Sequence, residues 1–243
     1  MTNLVIDMGN TRAKLAVFAG EEMVDFVAKD TLSLPFLKDY FSYHRIENSI
    51  ISSVSWSRRD ITLFLEKNSN FIEFDFQTYS GLEIDYETPR TLGKDRIAAA
   101  IGALTLVPDS DLLVIDIGSC ITYDLVTKDG AFRGGNIAPG LSMRLKSMHD
   151  YTANLPLVQI DKKPEKFVGK NTRDAILNGA FWGIVAEINS FYDRLYSEYP
   201  FVKVILTGGE ASYFADSIKQ CNFVKDNLVP IGLNRVISSI VSR

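Results

Sequence analysis

A chain of 243 residues that is 46% hydrophobic and 23% charged has the material for a sizeable core, and it reads as an ordinary soluble globular protein of one large or two small domains. Its net charge of -4 arises from interspersed acids and bases, without the clustered basic face that DNA or RNA demands. The longest apolar runs, such as Leu112–Asp116 and Val202–Leu206, fall far short of a bilayer span.

The N-terminus enters a strand-like run at once, so a cytoplasmic protein without a cleaved leader is expected. Leu4-Val-Ile-Asp-Met-Gly-Asn-Thr-Arg-Ala-Lys-Leu-Ala-Val17 reads as a buried strand, an Asp-x-Gly turn and a second strand, a hairpin with an acid at its bend. Ser49–Val54 reads as another strand, Asp60–Asn68 as a helix and Phe71–Phe76 as a short strand followed by a loop. Lys94–Leu106 is strongly helical, and Ala98, Ala99, Ala100, Gly102 and Ala103 keep part of its surface small enough for another element to approach closely.

Pro108-Asp-Ser-Asp111 marks the boundary between halves, giving domains 1–108 and 109–243. Leu113-Val-Ile-Asp-Ile-Gly-Ser-Cys-Ile-Thr-Tyr-Asp-Leu-Val126 then repeats the first hairpin without a gap. Such an echo implies a duplicated architecture whose clefts face one another. Beyond it, Gly130–Gly140 reads as a glycine-rich loop region, Leu141–Asp150 as a helix, and Tyr151–Pro156 as a segment closing a helix or loop near the cleft. Asn171–Tyr199 is one long amphipathic helix or two abutting ones, with an apolar stripe from Ile176 to Leu195. Val202–Gly209 is a strand running into a glycine turn, and a short helix follows from Glu210 to Ile218.

Asp7-Met-Gly-Asn-Thr11 is the first segment with chemistry in it. A carboxylate leaving a strand, followed by glycine and small polar residues, lets backbone N–H groups approach a phosphate while side chains donate to its oxygens. Asp7 would then hold Mg2+, a hard ion that keeps its waters and takes one or two carboxylates, and Lys14 would neutralise phosphate charge. One copy alone reads sooner as an ordinary turn with a solvated acid; the second copy at Asp116-Ile-Gly-Ser-Cys120 makes the functional reading the better one. No GxxxxGK[ST] or GxGxxG follows a strand, so Walker-type and Rossmann sites lose their support.

Tyr86-Glu-Thr-Pro-Arg-Thr-Leu-Gly-Lys-Asp-Arg96 is the second such segment. It places Asp95 in or next to a first helical turn, where the macrodipole favours an ionised carboxylate. Asp95 is either a helix-capping acid or the group that takes a proton from a substrate alcohol during phosphoryl transfer, a reaction in which orienting the nucleophile matters more than strong basicity. Arg96 is suited to a substrate carboxylate or to a salt bridge. Gly134–Gly140 fits a phosphate cradle or a close passage of chain past chain equally well. Cys120 and Cys221 form no metal or disulfide pattern and read as small buried residues, and His44 and His149 lack metal-ligand spacing.

The two Asp-x-Gly hairpins, with Thr207-Gly208-Gly209 near the C-terminus, resemble the actin, sugar kinase and chaperone ATPase superfamily. More specifically, DMGNT, then Tyr86 nine residues before the Asp of LGKDR, then VIDIGS…TYD, FRGGNIAPGL and TANLP, in that order over most of the chain, resemble type III pantothenate kinases. The resemblance implies an α/β fold of two duplicated actin-like (ribonuclease H-like) domains, mixed sheets flanked by helices, with the nucleotide in the interdomain cleft. It implies ATP contacts from Asp7, Met8, Gly9, Asn10, Thr11, Arg12, Ala13, Lys14 and Ser119, and pantothenate contacts from Tyr86, Gly93, Lys94, Asp95, Arg96 and Thr172. Asp95 would be the catalytic base. The same resemblance implies a monovalent cation, K+ or NH4+, at Asp116, beside Mg2+ at Asp7, and a homodimer to which the long helix contributes. The family's second hairpin usually reads Asp-x-Gly-Thr-Ala; Ser119 keeps the hydroxyl and Cys120 is slightly larger than alanine. The implied activity is ATP-dependent phosphorylation of pantothenate, the first step of coenzyme A synthesis. The rivals are another small-molecule kinase or ATPase on the same scaffold, and a non-catalytic nucleotide-binding regulator or assembly protein.

Overall fold

The computed structural model describes residues 1–9, 12–53, 58–79 and 81–241. In chain order the elements begin with strands β1 (Thr2–Met8), β2 (Ala13–Ala19) and β3 (Glu22–Lys29), helix α1 (Leu34–Tyr43), β4 (Asn48–Ser53), α2 (Arg59–Asn68), β5 (Asn70–Glu73), β6 (Glu83–Ile84) and α3 (Lys94–Leu106). They continue with β7 (Leu112–Ile117), β8 (Cys120–Thr127), β9 (Ala131–Pro139), α4 (Leu141–Asp150) and α5 (Thr172–Tyr196). The last are β10 (Lys203–Thr207), α6 (Ala211–Phe214), β11 (Phe223–Val224) and α7 (Leu228–Val241). Val54, the end of an expected strand, lies outside the described residues.

Two compact units emerge: Met1–Asp109 with Asp129–Arg133 and Asn227–Arg243, and Ser110–Lys128 with Gly134–Asp226. The division therefore differs from a single cut at 108/109, because the C-terminal segment groups with the first unit.

The first unit has a sheet in the order β3-β2-β1-β4-β5, with β1–β2 and β2–β3 antiparallel and β1–β4 and β4–β5 parallel. Its central strand β1 is buried along nearly all its length, which is why it reads as a continuous apolar run; edge strand β3 alternates exposed and half-buried. Leu4, Ile6, Leu15 and Val17 pack on one face with Leu37 and Tyr40 of α1 and Ile61 and Leu65 of α2. Asn3 and Asp7 point to the opposite face, where α7 packs on β1 and β4.

Helix α7 also packs along α3, through glycine. A β-carbon on Gly102 would overlap the Leu228 carbonyl, and one on Gly232 would overlap the Ala98 carbonyl. The small face of α3 thus has its partner. A chain of amides, buried at Asn3, Asn48 and Asn234 and ending at the exposed Asn70, fixes α7 on the sheet: Asn3 Nδ2 donates to Asn234 Oδ1 at 2.9 Å, Asn48 Nδ2 to Asn3 Oδ1 at 2.9 Å, and Asn70 Nδ2 to Asn48 Oδ1 at 3.0 Å.

In the second unit the strand order β11-β10-β7-β8-β9 repeats that of the first, with β10–β11 and β7–β10 parallel and β7–β8 antiparallel. The hairpin echo is therefore one part of a repeated sheet. Leu113, Ile115 and Ile117 of β7 share a core with Leu145 of α4, Phe181 and Ile184 of α5 and Phe214 of α6. Segment 131–139, expected as a loop, is strand β9: its glycines adopt extended or positive-φ backbone (Gly134, φ 102°) and neighbouring strands supply the hydrogen bonds that composition does not announce. Its first two residues, which belong to the first unit, pair in parallel with Glu83 and Ile84.

Candidate active site

In the first unit, β1 delivers Asp7 to the end of the sheet, 6% exposed, in register with Lys14 on β2 and Ser52 on β4. Residues directly opposite across neighbouring strands project to the same face, so Asp7, Lys14 and Ser52 share one side. The turn closes with the Gly9 N–H donating to the Arg12 carbonyl at 3.1 Å; a β-carbon on Gly9 would stand 3.3 Å from that oxygen. Asn10 and Thr11, expected to touch the nucleotide, lie outside the described residues. Met8 packs partly on the core, and Ala13 is buried within it, so the Ala13 side chain faces away from any ligand at the turn. The exposed Arg12 pairs with Asp30 at 3.0 Å.

Also in this unit, Gly93 precedes α3 and Asp95 occupies its first turn. Asp95 Oδ1 accepts the Arg96 N–H at 2.9 Å, which fixes the carboxylate beside the positive end of the helix. The helix-terminus bond thus uses Oδ1, and the carboxylate has a second oxygen, Oδ2. Gly93 permits this, because a β-carbon there would lie 2.5 Å from Asp95 Oδ1. Lys94 sits 3.9 Å from Glu73. Arg96 is buried, its guanidinium 6.0 Å from the Tyr86 ring centre and 5.5 Å from that of Phe132, while the two rings meet edge to face at 6.1 Å. Tyr86, Asp95 and Arg96 are thereby brought into one neighbourhood. Phe132 is the member that sequence reasoning missed; the signal was an aromatic residue opening the FRGG segment, which only strand pairing carries to Tyr86.

In the second unit, Asp116 stands on β7 in register with Thr122 and Thr207. The hairpin turns tightly, with the Gly118 N–H donating to the Cys120 carbonyl at 3.0 Å and Ser119 exposed at its tip. Two glycines press on it. Gly208 (φ 93°) packs so that a β-carbon would overlap Asp116 Oδ1 and the Ile117 carbonyl, and one on Gly140 would overlap the Gly118 carbonyl. The Gly140 N–H donates to the Ser119 carbonyl at 3.0 Å. For Gly140, close passage of chain past chain is the role observed.

A second layer holds this tip in place. Arg144 Nε donates to the Pro139 carbonyl and Nη2 to Glu187 Oε2, both at 2.8 Å, and the Tyr123 hydroxyl donates to Glu187 Oε1 at 2.6 Å. Burial, reinforced by the Glu187 carboxylate, raises the Tyr123 pKa and keeps it a phenol. Thr172 opens α5 just after its cap Asn171, whose side chain accepts the Asp174 N–H at 2.9 Å. Neither cysteine is fully buried, contrary to expectation; Cys120 borders the turn and Cys221 the end of the second sheet. His44 binds Asp25 at 2.9 Å and His149 the Leu155 carbonyl at 2.8 Å, both structural partners.

Among the described residues no three His, Cys, Asp or Glu side chains cluster as a self-sufficient metal site. Single carboxylates at Asp7 and Asp116 instead suit hard cations that take most of their oxygen ligands from water, phosphate or backbone. Among the described residues no helix is long and apolar enough to cross a membrane.

The sequence profile of the type III pantothenate kinases matches residues 3–194. The chain is 39% identical to a type III pantothenate kinase of Phocaeicola vulgatus over 97% of its own length and 98% of that protein's. It is 37% identical to another from Christiangramia forsetii, covering 97% of each. In three dimensions it resembles the ROK hexokinase of Thermus thermophilus, with a TM-score of 0.53 at 12% identity over 99% of this chain and 100% of that one. This last likeness shows the fold alone, that of the actin-like sugar kinases.

Proposed function

Because the chain belongs to the type III pantothenate kinase family, we propose that it transfers the γ-phosphoryl group of ATP to the primary hydroxyl of pantothenate, giving ADP and 4′-phosphopantothenate. The observation that carries this reading is the unbroken family match over residues 3–194, a span that holds Asp7, Tyr86, Asp95, Asp116, Ser119 and Thr172.

The roles divide by residue. Asp95, oriented by the Arg96 amide, accepts the hydrogen of the pantothenate hydroxyl and takes the proton as the new P–O bond forms and the bond to ADP breaks. Arg96, Tyr86, Gly93, Lys94 and Thr172 position pantothenate, the guanidinium of Arg96 serving its carboxylate. The Gly9 turn with Lys14, and Ser119, hold phosphate oxygens. Mg2+ at Asp7 would neutralise charge on the phosphates, and K+ or NH4+ at Asp116 would supply positive charge at the second hairpin. Homodimerisation is supported by the exposed apolar side chains of the second unit, among them Tyr151, Phe167, Val168 and Tyr196. We place the enzyme in the cytoplasm, where ATP is supplied.

ADP release by the purified protein, measured with pantothenate, glucose, acetate or no acceptor, each with and without K+, tests the proposal. Release that depends on pantothenate is expected. Equal release without an acceptor, or a preference for glucose or acetate, overturns it in favour of an ATPase or another kinase.

A further inference from the structure

At the end of α3 remote from Asp95, the first unit holds a cavity of about 310 Å3. Its walls come from Glu21 in the β2–β3 turn, Tyr79 ahead of β6, Ile101 and Leu104 in the last turns of α3, Pro108 just beyond them, and Arg235 of α7. Asn234 Nδ2 donates to the Gly20 carbonyl at 2.9 Å and so pins the turn that carries Glu21 to the stretch of α7 that carries Arg235. Gly81 completes the wall: a β-carbon there would fall 2.6 Å from the Tyr79 ring, so only glycine lets the ring stand where it does.

Three polar groups on this cavity are unspent. Among the described residues Glu21 and Arg235, both exposed, form no ion pair with each other or with any other side chain, and the half-buried Tyr79 hydroxyl has no hydrogen-bond partner. The Thr105 hydroxyl, also on the wall, is spent on the Ile101 carbonyl at 2.8 Å. An acid and a guanidinium held apart across one cavity match a ligand that carries both an ammonium and a carboxylate. The guanidinium fork suits the carboxylate, and the negative end of the α3 dipole, which lines the same space, favours the ammonium. The buried Ile101, with Leu104 and Pro108, offers an apolar wall to a hydrocarbon side chain. A phosphate ester would bring its charge to a single guanidinium beside an acid, and a fatty acid would leave Glu21 unanswered. We propose that this cavity binds a free amino acid with an apolar side chain, its ammonium on Glu21, its carboxylate on Arg235 and the Tyr79 hydroxyl as a further polar contact. The site is separate from the residues assigned to phosphoryl transfer and does not depend on that reading.

Calorimetry on the full chain with L-leucine, N-acetyl-L-leucine and L-leucinamide tests this, for wild type, Glu21→Gln and Arg235→Gln. In the wild type, masking either charge of the ligand should weaken binding roughly 10- to 100-fold, the range expected of hydrogen bonds to charged groups. Glu21→Gln should bring L-leucine to within about threefold of N-acetyl-L-leucine while keeping its preference over the amide, and Arg235→Gln should do the converse. Because both side chains are exposed, the variants should unfold in urea at the wild-type midpoint without ligand. Saturating L-leucine should raise that midpoint in the wild type, as a ligand of the native state does, and leave it lower in either variant. L-leucine binding weaker than about 10 mM overturns the proposal, as does an affinity that is the same in all three proteins. A loss of affinity in Arg235→Gln alone overturns the amino-acid assignment in favour of a plain apolar carboxylate.

Discussion

Gly208 rests directly on Asp116: with φ at 93° it leaves no room for a β-carbon beside the aspartate's Oδ1 or the Ile117 carbonyl. Gly208→Ala therefore meets both left-handed strain and backbone overlap, and should destabilise the protein by roughly 1–3 kcal/mol. If the turn shapes the nucleotide site, the variant also raises the KM for ATP more than that for pantothenate. Urea denaturation and steady-state kinetics on the same preparation check both, and an unchanged ratio of the two KM values would remove the turn from the nucleotide site.

Replacing Asp95 by asparagine keeps the shape of the side chain and the bond from Arg96 N–H but removes the basic oxygen. Turnover should fall by roughly 10²- to 10⁴-fold, the usual share of a general base, while calorimetry finds ADP binding within about twofold of wild type. Gly93→Ala forces the carboxylate from its place and should lower kcat without abolishing it. Undiminished turnover in Asp95→Asn would end the assignment.

Asn3 links Asn48 to Asn234 in the buried amide chain under α7. Asn3→Leu would orphan the Asn48 donor and the Asn234 acceptor, at roughly 1–3 kcal/mol for each group. A midpoint of chemical denaturation equal to that of wild type would show that the amides find other partners.

Asp25 Oδ2 accepts the Tyr40 hydroxyl at 2.8 Å and faces His44 Nε2 at 2.9 Å, and Oδ1 accepts the Phe26 N–H at 2.8 Å. These bonds, that from Tyr40 foremost, hold the carboxyl pKa below its ordinary 3.8. A lowered folded-state pKa gives stability that is complete above the unfolded value and is lost as pH falls through the folded value. Asp25→Asn should thus be less stable than wild type at neutral pH, with the gap closing below pH 3.8. Denaturation midpoints of the pair across pH would show this; a gap independent of pH would refute it.

The two hairpins were legible because a run of buried β-branched residues ending in Asp-x-Gly is a local signal, and its gapless recurrence announced the repeated sheet. Lys94–Leu106 and Leu141–Asp150 were legible as helices to the residue. Helix α7 was not: Pro230 and Gly232 look like breakers, yet Pro230 lies in the first turn, where its missing N–H costs nothing, and Gly232 is the contact against Ala98. Strand β9 was hidden by its glycines, since pairing with distant strands decides its state. In the site, Asp7, Asp95 and Asp116 could be read from motifs, whereas Phe132 and Arg144 matter through neighbours far away in sequence, which no local pattern encodes.

Residues 227–243 belong to the first unit, although the whole second unit is made before them. During synthesis on the ribosome, the alanine-rich side of α3 must wait through more than a hundred codons for its cover. The nascent first half is thus born with an open apolar seam, vulnerable to aggregation and suited to chaperone attention until the returning helix seals it.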